Sequence, residues 1–273
     1  MGRGRGSDVV DTFDELHFPL RSKLAAATLK GIPLGGRRVN VPSPSTRTEF
    51  YTASNDLPLG GDTDRRHLFR TEDFTADYSY ALSRDGKEIA KSRNGAAESP
   101  RNTALAAWTV PADTGTYTLR ARVARLTWNG KPKWSTAPEM DAVWTFRSGP
   151  VAEGGTAALP LTTVRFEPPV DEWSRAEHNQ VVAVPFDIQR TGSRARGKLR
   201  ALTVEASFDG GTTWETVPVV KNRALITHPD LATLPAAQID RNGHGYVSRR
   251  DKGTDRASSF ELTVKKAYKL KKS

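Results

Sequence analysis

The stretch Leu202-Thr-Val-Glu-Ala-Ser-Phe-Asp-Gly-Gly-Thr-Thr-Trp-Glu-Thr-Val-Pro-Val219 decides how this chain folds. Val204, Ala206 and Phe208 alternate with Thr203, Glu205 and Ser207, the two-residue period of a strand with one buried face. Asp209-Gly210-Gly211 then reverses the chain. Glycine accepts positive φ at no steric cost, and an Asp carboxylate takes hydrogen bonds from turn amides. Trp214, Val217 and Val219 open the return strand, so the segment is a β-hairpin.

Outward from this hairpin the same pattern repeats. Residues 78–90 predict two strands around Asp85-Gly86. Residues 108–123 predict a turn and a strand on which Tyr117, Leu119, Ala121 and Val123 share one face, and 140–148 predict a further strand. Gly149-Pro150-Val-Ala-Glu-Gly-Gly155 reads as a linker. Beyond it, strands are expected at 162–166, 181–189, 199–208, 213–219, 245–249 and 259–268, with Trp144 and Trp214 in the core. Only residues 21–30 resemble even a short helix, and parallel α/β folds need helical crossovers. The fold class is therefore all-β. Strand spacing and turn chemistry suit two consecutive immunoglobulin/fibronectin-III-like β-sandwich units, 49–149 and 150–273, after a loosely ordered N-terminal segment, 1–48, with a few short strands.

Two resemblances follow from these residues. Ser207, Asp209, Gly211, Thr213 and Trp214 fit the Asp-box pattern of hairpins in sialidase-type propellers, where Asp and Ser brace the turn and Trp packs beneath it. That motif is structural in its home fold. A propeller repeats it over several four-stranded blades, and here it occurs once. More widely, Ala142-Val-Trp-Thr-Phe-Arg-Ser-Gly149, Leu159-Pro-Leu-Thr-Thr-Val-Arg-Phe166, Val184-Pro-Phe-Asp-Ile-Gln-Arg190, Gly245-Tyr-Val-Ser248 and Lys266-Ala-Tyr-Lys-Leu270 form a spaced series. With the hairpin, it resembles the C-terminal region of large secreted subtilisin-like serine peptidases of Streptomyces and related actinobacteria, over roughly residues 109–270.

The resemblance implies a non-catalytic accessory module that stabilises or positions a peptidase catalytic domain or engages a polymeric substrate. Such peptidases set the nucleophile in a Gly-Thr-Ser-Met-Ala-like segment and need a His to deprotonate it and an Asp to hold the ring. This chain has no such segment, and His17, His67, His178, His228 and His244 lie outside the family's His context, so it is not read as an enzyme. It also departs from the family at Val247-Ser-Arg-Arg-Asp251, where Arg249 and Asp251 replace apolar or small residues. The expectation is a weakened last strand pair, or a copy drifting without selection.

The 273 residues carry a net charge of +10, which puts acidic partners in question. A nucleic-acid binder concentrates its cations on one face among stacking aromatics. Here the clusters Arg194-Ala-Arg196-Gly-Lys198-Leu-Arg200 and Lys265 to Lys272 flank expected strands, where lysines protect sheet edges, so nucleic acid is not the expected partner. With no cysteine there is no disulfide or thiolate metal site. No stretch approaches the ~20 apolar residues of a membrane span. Met1-Gly-Arg-Gly-Arg-Gly-Ser-Asp-Val-Val is basic, but no apolar run of about 7–15 residues follows to make a signal peptide. The family resemblance nevertheless implies an extracellular protein, and the expectation is a piece of a longer secreted one.

Four further groups carry side chains capable of chemistry. Asp240-Arg-Asn-Gly-His244 offers two local oxygens where calcium takes about six or more, and is read as a turn. In Asp62-Thr-Asp64-Arg-Arg-His67 the adjacent arginines repel a cation. Glu167 and Glu172 could be cast as a glycosidase pair, but such pairs arise by chance among 31 carboxylates. Trp128-Asn-Gly-Lys-Pro-Lys-Trp134 places two Trp across an Asn-Gly turn. It is either a cross-hairpin core pair or a surface that stacks on sugar rings or clamps peptide, and with the lone Asp box it supports the alternative of a free-standing carbohydrate or cell-surface binding module. No cofactor and no metal is expected.

Overall fold

A computed structural model describes residues 37–41, 47–53, 76–93, 105–125, 127–128, 131–132, 136–152, 156–171, 173–190 and 199–272. Trp134, Glu172, His17, His67, Asp62, Asp64, the basic residues Arg194, Arg196 and Lys198, and the segment 21–30 lie outside these residues.

Strands dominate. Along the first half run β1 (Arg37–Val41), β2 (Arg47–Ala53), β3 (Ala76–Arg84), β4 (Lys87–Arg93), β5 (Leu105–Val110), β6 (Gly115–Arg125), the short β7 (Thr127–Trp128) and β8 (Lys131–Pro132), and β9 (Glu139–Ser148). The second half holds β10 (Thr156–Ala158), β11 (Thr162–Phe166), β12 (Arg175–Glu177), β13 (Gln180–Arg190), β14 (Ala201–Ser207), β15 (Glu215–Val217), β16 (Val219–Val220), β17 (Arg223–His228), β18 (Gly245–Thr254) and β19 (Ser258–Lys271). Among the described residues, helix is confined to two 3-10 turns, Leu231–Thr233 and Ala236–Gln238.

The largest sheet has nine strands in the order β15-β14-β18-β19-β9-β6-β3-β4, with β12 pairing in parallel with the end of β19. Every other ladder in it is antiparallel. The sheet runs across Gly149–Pro150: β9 from the first half pairs with β19, Phe146 opposite Ser258 and Glu139 opposite Lys265. A four-stranded sheet, β11-β13-β17-β16, shares one hydrophobic cluster with it. A third sheet, β10-β1-β2-β5, pairs Arg37–Val39 with residues 156–158.

Alternation explains the shared core. Tyr117, Leu119 and Ala121 on β6 lie opposite Phe146, Trp144 and Ala142 on β9, and all six are buried. From the small sheet come Val164, Phe166, Val182, Val184, Phe186 and Ile226. Trp144 ties the layers together, its Nε1 donating to the Thr162 carbonyl at 2.9 Å. Burying a ring of that size stabilises by about 2–3 kcal/mol from area alone. Strand β11 is buried along its whole length, so it shows no alternation.

Two turns show why some strands were legible and others not. Asp85 and Gly86 both take positive φ, 48° and 83°, as the expected two-residue hairpin requires. Lys221 and Asn222 do the same at 48° and 59° without glycine, and that turn launches β17, for which the sequence carries no Gly signal. The return strand expected at 213–219 divides at Pro218. Glu215–Val217 pairs with β14, whereas Val219–Val220 pairs with β17 in the other sheet. Pro has no N–H to continue a ladder, and its carbonyl instead accepts from Leu225 at 2.9 Å.

Candidate functional site

Asp209 organises the hairpin between β14 and β15. Its Oδ1 accepts from the Ser207 hydroxyl at 2.7 Å and from the amides of Thr212 and Thr213 at 2.9 Å each. Its Oδ2 accepts from the Thr213 hydroxyl at 2.6 Å. Ser207 Oγ in turn accepts from Gly211 N at 2.9 Å. Gly211 sits at φ 93°, which favours glycine, and a Cβ there would approach the Trp214 ring closely, at 3.2 Å. Trp214 Nε1 donates to the Gly211 carbonyl at 3.0 Å. Partial burial pushes the Asp209 carboxyl up, but the Thr213, Ser207 and Thr212 donors outweigh it and hold it down at about 2. All five Asp-box residues thus meet in one brace. Trp214 lies outside the deep core: it is half-buried, with the Arg250 guanidinium 4.5 Å from its ring centroid and Arg250 paired to Glu205.

Other carboxylates serve loops in the same way. Asp240 accepts from the amides of Asn242 and His244 at 2.8 and 2.9 Å on Oδ1, and from the Tyr246 hydroxyl at 2.9 Å on Oδ2, with His244 Nδ1 at 3.3 Å. Both oxygens are engaged inside the turn. Asp255 takes the amides of Ala257 and Ser258 and the Thr162 hydroxyl, joining the β18–β19 turn to β11. Asp171 takes the amides of Trp173 and Arg175, the Arg175 guanidinium and Lys271 Nζ, pinning β12 beside the end of β19. Glu167 is exposed.

Inside the molecule the chemistry differs. Arg249 and Asp251, two residues apart on β18, point to the same buried side, 5% and 0% exposed. Arg249 Nε donates to Asp251 Oδ2 at 2.7 Å, and its guanidinium carbon lies 3.9 Å from the Phe166 ring centroid. Arg249 Nη2 and Asp251 Oδ1 make no hydrogen bond among the described residues. Burial outweighs the attraction of Arg249 and pushes the Asp251 carboxyl up to about 6. The β18–β19 ladder shifts register between Val247 and Arg249 and then continues from Arg249 opposite Val264 to Thr254 opposite Ser259.

His228 is also buried, 1% exposed, with Nδ1 at 2.7 Å from the Glu177 carbonyl oxygen and Nε2 at 2.8 Å from the Tyr268 hydroxyl. A carbonyl only accepts, so Nδ1 carries the proton and Tyr268 donates to Nε2. Burial favours the neutral imidazole and lowers its pKa, and burial likewise raises that of Tyr268. Sequence reading set His228 aside for lack of a peptidase context, and its β17 neighbours gave no other signal. Of the Trp128/Trp134 pair, the backbone of Trp128 lies on β7 opposite Lys131 of β8, and Asn129 and Gly130 between the two strands lie outside the described residues.

No family model and no curated protein matches the chain. Among the described residues, no helix is long and apolar enough to cross a membrane.

Proposed function

We propose that this chain is a non-catalytic accessory module of a secreted subtilisin-like serine peptidase, one that supports or positions the catalytic domain or its polymeric substrate. What supports this reading is where the resembling segments fall. They supply β9, β11, most of β13 and the β14–β15 hairpin, which share the main core with β3, β6, β17 and the middle of β19, and the start of β18 and the end of β19, which line a satellite core. Resemblance concentrated on buried strands is a resemblance of scaffold. The engaged carboxylates Asp171, Asp209, Asp240 and Asp255 fit a scaffold too, since each is spent on bracing a loop. On this reading the strands form two sandwich units of immunoglobulin or fibronectin-III type, joined edge to edge where β9 meets β19.

Two observations test the proposal. A fluorophosphonate probe is expected to label no serine of the chain, and stoichiometric labelling of one would revive an enzyme. The coding sequence upstream of Met1 is expected to hold a peptidase domain with a Gly-Thr-Ser-Met-Ala-like segment; an unrelated gene with its own terminator there would count against the accessory role. The second reading, a carbohydrate or cell-surface binding module, rests on Trp128 and Trp134 either side of Asn129-Gly130 in the sequence and on the lone Asp box. Retention on insoluble polysaccharide that is lost in Trp128→Ala and Trp134→Ala would select it.

A further inference from the structure

A pocket of about 390 Å³ opens where β12, the end of β19 and the loop after β17 converge. That volume falls in the usual range for small-ligand sites, about 300–1,000 Å³. Its wall is asymmetric in charge: Arg175, Lys271, Lys272 and His244 line it, and no carboxylate does. Leu231 and Ile239 supply an apolar floor. Leu231 belongs to the satellite core with Ala176, Val247, Tyr268 and Leu270, against which Ile239 packs, so the floor is fixed.

The cations are held in place yet retain donors. Arg175 spends Nε and Nη2 on Asp171 Oδ2, both at 3.0 Å, which leaves Nη1. Lys271 Nζ lies 3.2 Å from Asp171 and 3.3 Å from Glu177, two contacts for an ammonium with three protons. Lys272 has no ion pair among the described residues. Asp171 thus sits behind the wall and aims two cations without occupying the cavity. His244 is anchored through Nδ1 by Asp240, with Nε2 left over.

We propose that this pocket binds a carboxylate borne on a small aliphatic body, such as the C-terminal end of a peptide or a free branched acid. The carboxylate takes charge-assisted hydrogen bonds from Arg175, Lys271 and Lys272, and the aliphatic group lies on Leu231 and Ile239. The site does not depend on the peptidase reading.

The test is an amide-resolved NMR titration of the full chain with three probes of one shape: N-acetyl-leucine, N-acetyl-leucinamide and 4-methylpentanoate. N-acetyl-leucine is expected to shift the amides of Ala232, Gly243 and Lys271, and the uncharged amide to bind about tenfold more weakly or less, the factor that one lost charge-assisted bond gives. Equal binding by 4-methylpentanoate would assign the site to free acids, and weaker binding to peptide ends. Lys272→Glu, at an exposed position where folding is not at risk, is expected to weaken N-acetyl-leucine by at least about fivefold. Acid and amide binding alike, no response at these amides, or an unchanged affinity in Lys272→Glu would overturn the proposal.

Discussion

Asp209, in the turn that follows β14, and Asp251, on the neighbouring β18, belong to one sheet, yet their carboxyls sit near 2 and near 6. Asp209 stands at the tip of a hairpin, where five short donor contacts from residues within four positions of it stabilise the anion. Asp251 stands in the interior between Val204 and Leu262, with one cation, Arg249, and one oxygen left without a partner. Both are negative charges on a β-scaffold. The first is stabilised by its own turn, whereas the second is tolerated only because a buried arginine lies beside it.

The largest effect should come from breaking the interior pair. Arg249→Met keeps much of the volume over Phe166 but leaves Asp251 buried without a cation, and is expected to cost about 3–5 kcal/mol at pH 8 in urea unfolding. The cost should shrink toward pH 5, where Asp251 takes a proton. A loss below about 1 kcal/mol at pH 8 would mean that the pair carries little of the interior's electrostatics. Asp209→Ala is expected to cost less, about 1–2 kcal/mol, because water replaces the carboxylate at the exposed Thr212 and Thr213 amides.

The smallest effect is one of slope. The folded-state pKa of Asp251 lies above its unfolded value of about 3.9, so its contribution is fully present below that value and is lost as pH rises through about 6. Asp209 and Asp171, held at about 2, act in reverse: their contribution is present above about 3.9 and lost as pH falls toward 2. Asp251→Asn should therefore match the parent chain near pH 4 and gain on it between pH 5 and 7, whereas Asp209→Asn should differ from the parent most above pH 4. Parallel pH profiles for the two variants would erase the distinction.

The difference between the two sites also sets what the sequence could disclose. Every partner of Asp209 lies within Ser207–Trp214, so spacing alone located the brace. The surroundings of Asp251 come from β11, β14 and β19, and only the departure from the resembling family drew notice to it. Alternation found β6, β9 and β14, each with a polar and an apolar face. It gave no strand at β17, which follows a glycine-free turn, and could not show that the chain changes sheets at Pro218. The pocket gathers Arg175, Leu231, His244 and Lys271 from four separate segments, and no local pattern joins them.

The most direct test is a carboxyl-carbon NMR titration of the folded chain with both aspartates assigned. Asp209 is expected to titrate near 2 and Asp251 near 6, with Arg249→Met moving Asp251 higher still and leaving Asp209 where it is. Two carboxyls titrating together near 3.9, the ordinary value for an exposed aspartate, would contradict the account.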